Sequence, residues 1–187
     1  MTLLRSAFLR CFWQRWGFAL LTAGSLCASQ AQGFRLESAG ARGGASLSEG
    51  AGRNFHQAEA FVNWNLPWRW VLGANWWLQS RLDASAGWLG SSFNDAFIGT
   101  VGPSLLLGRE RFPLSVSLGF SPTLLGQHEF IEKDFGQLLQ FTSHLGLNYD
   151  FAEHFRAGYR FQHMSNADLN SRNPGLNLHM FALSYLF

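Results

Sequence analysis

His163 and Ser165 are the two residues of this sequence whose types and spacing best fit a chemical reaction. They follow a segment, 155–162, in which apolar and polar residues alternate with a period of two. Alternate side chains of a β-strand share one face, so both residues continue the apolar face of a predicted strand. Same-face neighbours are about 6.5–7 Å apart at Cα, which lets an imidazole reach a hydroxyl. The pair therefore predicts a serine nucleophile activated by a histidine base.

The turn that follows this pair contains groups that can stabilise an oxyanion. Asn166 and the backbone N–H groups of residues 165–168 can donate hydrogen bonds to charge that develops on a carbonyl oxygen. The His-x-Ser spacing alone is weak support for catalysis, because both residue types are common at strand ends. Four other histidines, His128, His144, His154 and His179, do not have the spacing of metal ligands. The sequence also has no phosphate-binding glycine loop between a strand and a helix. We expect no metal and no organic cofactor.

The first 31 residues have the pattern of a secretory signal peptide. Arg5, Arg10 and Arg15 form a basic region, and residues 16–26 form an apolar segment that is too short to span a bilayer as a helix. Residues 29–31, Ser-Gln-Ala, match a cleavage site with small residues at both ends. The sequence therefore predicts secretion, with a mature domain of residues 32–187.

The composition of the predicted mature chain excludes several classes of protein. Both cysteines, Cys11 and Cys27, lie in the signal, so no disulfide, thiolate metal site or cysteine nucleophile is expected. Three of the 14 lysines and arginines also lie there, which leaves a slightly acidic chain and makes nucleic acid an unfavourable partner. Charged residues are only 14% of the sequence, yet no mature apolar run reaches the length of a helical span. This combination is typical of transmembrane β-barrels.

Eight segments of alternating polarity divide the mature chain. The first runs over 34–45, the second over 55–66 and, after a short link at 67–69, the third over 70–88; the seventh begins at Phe155 and the eighth covers 177–187. The mean of about 19 residues per strand and turn suits strands that need about 9–11 residues to cross the membrane. Short links alternate with long loops, as in outer-membrane barrels. We predict an all-β, eight-stranded antiparallel transmembrane β-barrel of the outer membrane.

This topology places the reactive pair at a defined depth. With both termini periplasmic, strand seven runs outward, so His163 and Ser165 are expected at its extracellular end, on the lipid side. Polar groups facing lipid cost free energy unless they have partners. The substrate available in the outer leaflet is lipopolysaccharide itself.

On the lumen face, a salt-bridged plug is expected from Glu59, Arg81, Arg156 and Arg160.

Two short motifs near the C-terminus resemble the signature of the PagL-type lipid A 3-O-deacylases. They are His163-Met164-Ser165-Asn166-Ala167 and Asn173-Pro174-Gly175-Leu176-Asn177. The resemblance implies an eight-stranded outer-membrane barrel whose exterior Ser-His-Glu triad removes the 3-position acyl chain from lipid A. It implies that Ser165 is the nucleophile, His163 the base and Asn166 the position important for the oxyanion hole.

One position departs from the family pattern. The acidic member of the triad aligns with Asn177, whose amide can orient His163 but carries no charge. In a serine protease, replacing the acid by its amide costs about 10⁴ in rate, although cysteine proteases function with asparagine in this role. Asp168, in the adjoining loop, is an alternative acid. The expected catalytic set is His163, Ser165 and Asn177.

The partners that the sequence implies are lipopolysaccharide and the surrounding outer-membrane lipid. The alternating C-terminal segment that ends at Phe187 also resembles the signal read by the barrel assembly machinery, and formation of a homodimer is left open. Two alternatives to a deacylase remain. One is a structural or adhesive barrel with weak or no catalysis, which has kept the fold and lost the acid, and the other is an acyltransferase barrel.

Overall fold

The computed structural model describes residues 33–47 and 54–187, which form a closed antiparallel β-barrel of eight strands. The strands are β1 (Arg35–Ala45), β2 (His56–Gly73), β3 (Trp76–Gly90), β4 (Asp95–Arg109), β5 (Leu114–Leu125), β6 (Leu139–Ala152), β7 (Phe155–Ser165) and β8 (Leu176–Leu186). Each strand pairs with its neighbours in sequence, and β1 pairs with β8. The predicted eight-stranded barrel is therefore confirmed, and the predicted signal peptide lies outside the described residues.

Closure of the barrel follows from the alternating pattern of the sequence. In β5, for example, Leu118 and Phe120 are exposed on the outside, whereas Ser117 and Ser121 are buried in the interior. A closed barrel has no free strand edge, so its backbone hydrogen bonds are satisfied without water. Among the described residues, no helix has the length and apolar character needed to cross a membrane.

The interior is filled by charged side chains that pair with one another. Arg42 contacts Glu59, and Arg156 lies 2.5 Å from both Glu37 and Asp150. Arg81 also lies 3.4 Å from Glu37. These contacts confirm the predicted salt-bridged plug for Glu59, Arg81 and Arg156, because buried charges are tolerated when they are paired and hydrogen-bonded. Arg160 is also buried in the interior, but it forms no ion pair within the described residues.

An apolar cluster closes the extracellular end of the barrel above this polar interior. It is centred on Phe55, Phe130 and Phe135, whose rings meet edge to face at 5.3–5.7 Å. Inward side chains from the strand ends, including Met164 and Leu176, are fully buried in the same cluster. The cluster joins the loop between β5 and β6 to the ends of β7 and β8, and it gives that loop a fixed position.

The turn between β2 and β3 differs from the prediction. The predicted link at 67–69 lies inside β2, and the chain reverses at Ala74 and Asn75. Both residues have positive φ, 46° and 66°, which is the backbone of a two-residue type I′ hairpin turn. Pro67 lacks a backbone N–H and interrupts strand pairing, but the interruption is a bulge and not a turn: pairing stops at Asn65–Arg81 and resumes at Arg69–Gln79.

A second bulge changes the parity of β1. The register shifts between Leu36 and Ser38, so the side chains of both Glu37 and Ser38 point into the barrel interior. Glu37 contacts two arginines there, and Ser38 is fully buried. Strict alternation over residues 34–45 would place Ser38 on the same face as Leu36, and this expectation is wrong because of the bulge. β5 continues through Pro122 to Leu125, so the loop that follows it begins at residue 126.

Candidate active site

The pairing of β7 with β8 brings His163 directly opposite Asn177. Both side chains face outward, because their neighbours Gln162, Met164 and Leu176 are buried inside the barrel. The ring of His163 is exposed and Ser165 is half-buried at the extracellular end of β7. The outward orientation predicted from the alternating pattern is therefore present in the structure.

The ring of His163 is held by Asn177. Its Nδ1 lies 2.8 Å from Asn177 Oδ1, and an amide oxygen can only accept a hydrogen bond, so Nδ1 carries the proton and donates it. The other ring nitrogen, Nε2, then has its lone pair free to act as a base. This is the tautomer that activation of a serine requires. The amide of Asn177 thus orients the ring and selects its protonated nitrogen.

Ser165 lies on the same outward face, two residues from His163. It pairs with Phe141 of β6, while His163 pairs with Ser143. No hydrogen bond joins Ser165 Oγ to His163 within the described part of the chain. Catalytic hydrogen bonds are often long or poorly aligned before a substrate binds, and same-face neighbours on a strand are close enough for a side-chain rotation to form one.

Gly175 fits against the free side of the His163 ring. A Cβ atom placed on Gly175 would lie 3.0 Å from Cε1 of His163 and 3.7 Å from Nε2. The residue also has a φ of 62°, in the left-handed region that glycine adopts without strain. Its carbonyl accepts a hydrogen bond of 2.8 Å from Lys133 Nζ. Gly175 therefore lets the chain pass close to the His163 ring.

We expect Gly175→Ala to lower kcat for ester hydrolysis by about 10- to 100-fold, because a displacement of the ring by a fraction of an ångström misaligns the base. The matched control is Gly73→Ala in the β2–β3 turn, where φ is 82° but a Cβ would meet nothing within 4 Å. The control has comparable backbone strain without a contact to the ring. Equal losses of activity in the two variants would show that strain alone is responsible.

Asn166 fixes the turn that follows Ser165. The residue is fully buried, and its side-chain amide donates to the carbonyls of Phe135 and Arg172, at 3.1 Å for Phe135 and 2.6 Å for Arg172. Its backbone N–H donates to Asn173 Oδ1 at 3.0 Å. All three N–H bonds of Asn166 are thus directed to protein acceptors. Its predicted importance for the oxyanion hole fits a positioning role, with the backbone N–H groups of the turn as the candidate donors to an oxyanion.

The loop between β5 and β6 supports the same turn from the other side. Gly136 accepts a hydrogen bond from Asn170 at 3.0 Å, and Asp134 pairs with Arg172. Sequence reasoning missed this contribution, because the partners lie more than 30 residues apart in the chain. The signal available was the single lysine of the sequence, Lys133, in an otherwise acidic segment that contains Glu129, Glu132 and Asp134.

Asp134 is the centre of this contact between loops. Its carboxylate accepts hydrogen bonds from Arg172, the Gly136 N–H and His128, which lower the pKa of Asp134 from 3.8 to about 2. Because the pKa of Asp134 is lowered in the folded state, the stabilisation that its contacts give to the folded protein is present above about pH 4. It is lost as the pH falls through the folded value near 2. The contact is fully formed at neutral pH.

We expect Asp134→Asn to loosen the segment that carries Arg172, because the amide loses the ion pair. The measurement is limited trypsin digestion of the membrane-embedded protein at neutral pH, with cleavage after Arg172 about tenfold faster in the variant. The control is Glu110→Gln, which removes an exposed carboxylate that pairs with Arg69 3.0 Å away. Cleavage at the wild-type rate in Asp134→Asn would contradict the proposed anchoring.

The remaining predicted residues lie as follows. Asp168, the alternative acid, accepts a hydrogen bond from Asn173 at 2.8 Å, and the acceptor at His163 is Asn177 instead. His144 is buried in the barrel interior. His128 lies beside Glu129 and Asp134, within 4.8 Å of both, but the Asp134 carboxylate already binds Arg172. His179 faces outward with its Nδ1 2.6 Å from the hydroxyl of Tyr159.

Comparisons with known proteins relate this chain to one family. A family model described as Lipid A 3-O-deacylase (PagL) matches residues 56–186. The lipid A deacylase PagL of Bordetella bronchiseptica (strain ATCC BAA-588 / NCTC 13252 / RB50) is 28% identical over 179 residues, which cover 91% of this chain and 94% of that protein.

Two solved structures share the fold of the chain. The crystal structure of the outer membrane enzyme PagL has a TM-score of 0.67 at 15% identity, with 78% of this chain and 97% of that chain covered. The crystal structure of Neisserial surface protein A has a TM-score of 0.50 at 13% identity, with 83% and 97% covered. At these identities, the two likenesses concern the fold alone.

Proposed function

Because the chain belongs to the PagL family of lipid A 3-O-deacylases, an outer-membrane family, we propose that it hydrolyses the ester bond of the 3-position acyl chain of lipid A. The observation that carries the proposal is the hydrogen bond between His163 and Asn177 on the outward face, two residues from Ser165. A base with its free nitrogen on the lipid side serves a lipid substrate. The products are a 3-hydroxy fatty acid and lipid A with a free 3-hydroxyl group.

The reaction proceeds in two halves. Ser165 Oγ attacks the ester carbonyl carbon while its proton passes to His163 Nε2. The tetrahedral intermediate collapses, the bond between the acyl carbon and the sugar oxygen breaks, and His163 returns the proton to that oxygen. A water molecule, deprotonated by His163, then cleaves the acyl–serine ester and restores the free Ser165 hydroxyl. The backbone N–H groups of Ala167 and Asp168 stabilise the oxyanion in both halves, because the N–H of Asn166 is already donated to Asn173 Oδ1.

Asn177 replaces the carboxylate of the family pattern. Its Oδ1 keeps His163 in the required tautomer, which is one of the two roles of the acid in a serine protease. It supplies no negative charge to the imidazolium that forms when Ser165 is deprotonated. We infer that the enzyme is active and slower than a relative with an acid at this position.

The protein acts in the outer membrane, where the substrate surrounds the barrel. The last residues alternate between exposed and covered positions, and Phe181, Tyr185 and Phe187 project outward from the barrel. This pattern supports recognition of the C-terminal strand by the barrel assembly machinery.

The test is the mass of lipid A from Gram-negative cells with and without expression of the full chain. A deacylase removes the mass of one 3-hydroxyacyl group, an acyltransferase adds an acyl group, and a structural or adhesive barrel changes nothing. The neutral residue at Asn177 is the observation that favours the structural alternative. Unchanged lipid A at normal expression would therefore overturn the proposed function.

A further inference from the structure

A small cavity lies inside the barrel, between the apolar cluster around Phe55 and the periplasmic end. Its volume is about 40 Å³, which is enough for about two to three water molecules or one small inorganic ion. Three of its lining residues have little or no side chain and leave this space open: Gly146, Gly158 and Ala182. Because the apolar cluster closes the extracellular end, small solutes reach the cavity from the periplasmic side.

The charged side chains that line the cavity are mostly basic. They are four arginines and one aspartate, namely Arg42, Arg81, Arg156, Arg160 and Asp83. Asp83 lies 3.7 Å from Arg81, which offsets its charge. The other interior carboxylates pair with arginines but do not line the cavity. Since all five lining residues are buried, water screens their charges weakly, and the cavity attracts negative charge.

Arg160 differs from the other three arginines of the cavity in its contacts. Each of the others lies within ion-pair distance of a carboxylate. The Arg160 side chain is only 8% exposed, yet it has no hydrogen bond or ion pair with any residue that the structure describes. A guanidinium stays protonated and has five N–H groups to donate. A buried charge of this kind is strongly unfavourable unless an acceptor compensates it.

Two neutral side chains of β6 add donors beside Arg160. His144 and Asn148 lie two residues on either side of Gly146, which pairs with Arg160 across the strands. Both residues line the cavity, and neither His144 Nδ1 nor Asn148 Nδ2 has a hydrogen-bond partner among the described residues. An amide nitrogen donates only, and an imidazole nitrogen can donate. The β6–β7 wall therefore offers several N–H donors together with one uncompensated positive charge.

We propose that this cavity binds one small monovalent inorganic anion, chloride in the periplasm, which accepts hydrogen bonds from Arg160 and the donors next to it. A water molecule can accept some of these hydrogen bonds, but it leaves the charge of Arg160 uncompensated, whereas an anion does both. The unfolded chain has no such site. Chloride binding therefore stabilises the folded barrel by mass action.

The direct test is diffraction from crystals of the full chain grown in sodium bromide. Bromide is slightly larger than chloride and commonly replaces it, and its anomalous scattering distinguishes it from water. We expect an anomalous peak inside the cavity, in contact with the guanidinium of Arg160. Water in the cavity, with bromide at the protein surface as an adventitious ion only, would overturn the proposal.

A second test compares the unfolding of the purified barrel in micelles in sodium chloride and in sodium gluconate at equal ionic strength. Gluconate is too large for the cavity but gives the same ionic screening. We expect the midpoint temperature of unfolding, followed by heat-dependent migration in gel electrophoresis, to be about 4 °C higher in chloride. Equal midpoints in the two salts would contradict a stabilising anion.

Two variants change the site in different ways. Arg160→Met removes the charge and keeps a long side chain, and it is expected to abolish the difference between the two salts. Gly158→Ala keeps all four arginines but adds a Cβ that lies 3.3 Å from Asn148 Oδ1 and 3.4 Å from Ala182 Cβ. Because this methyl group narrows the cavity, the chloride concentration that gives half of the stabilisation is expected to rise at least tenfold.

The matched control is Arg69→Met, which removes an arginine that pairs with Glu110 3.0 Å away and does not line the cavity. It is expected to keep the wild-type dependence on chloride. A dependence that persists in folded Arg160→Met, or that disappears equally in Arg69→Met, would overturn the assignment to this cavity. None of these measurements uses lipid A hydrolysis, so their outcome is independent of the proposed function.

Discussion

Ser165→Ala will abolish release of 3-hydroxy fatty acid from lipopolysaccharide, with a loss of at least about 10³ in rate. The expected loss is this large because, in the proposed mechanism, the hydroxyl forms the covalent bond to the acyl group and the residues that remain cannot replace it. The barrel should be unaffected, since the Ser165 hydroxyl makes no hydrogen bond within the described residues and lies at the end of β7. The measurement is fatty acid release from purified lipopolysaccharide by the protein in micelles.

The control for this variant is Ser171→Ala. Ser171 is an exposed serine of the same loop whose hydroxyl makes only a long contact of 3.5 Å, with Asn170. It should retain wild-type activity. Heat-dependent migration in gel electrophoresis would report the folded barrel in each case, and substantial fatty acid release by folded Ser165→Ala would refute the assignment of the nucleophile.

Asn177→Leu should lower kcat by about 10²–10⁴, and Asn177→Glu should retain the wild-type rate or exceed it. Leucine has a similar size but accepts no hydrogen bond, so Nδ1 of His163 loses the acceptor that now lies 2.8 Å away. Glutamate keeps an acceptor and adds a negative charge that stabilises the imidazolium. The two substitutions therefore separate orientation of the ring from charge stabilisation at one position.

The measurement is kcat on lipopolysaccharide for both variants, with the amount of folded barrel determined in parallel. Full activity of Asn177→Leu would mean that His163 does not depend on this contact. A large loss in folded Asn177→Glu would mean that the third catalytic position lies elsewhere. Asp168 would then be reconsidered, although its carboxylate is directed to Asn173.

The sequence predicted the side of the barrel on which the reactive residues lie because side-chain direction in a strand depends only on parity. β7 and β8 have no bulge near the site, so counting from Phe155 to Ser165 and back from Phe187 to Asn177 gave the right face. The same counting failed in β1, where one extra residue at Glu37 reversed the parity of Ser38.

The support of the site could not be predicted in the same way. The contacts of Asn166 with Phe135, and of Lys133 with Gly175, join two loops that have no periodic pattern and are distant in sequence. Their meeting depends on the barrel bringing β5–β6 and β7–β8 to one rim. The bulge at 66–68 was visible as a disturbance around Pro67, but its pattern did not distinguish a bulge from a turn.

The residue that holds the His163 ring, Asn177, is an amide and carries no charge at any pH. A glutamate at this position would lose part of its hydration on the lipid face, at a penalty of at most about 1 kcal/mol near the membrane interface. An amide avoids that penalty and attracts no divalent cation from the phosphate-rich headgroup layer. We therefore expect the site to be insensitive to the divalent cations that bridge neighbouring lipopolysaccharide molecules, at a cost in catalytic speed.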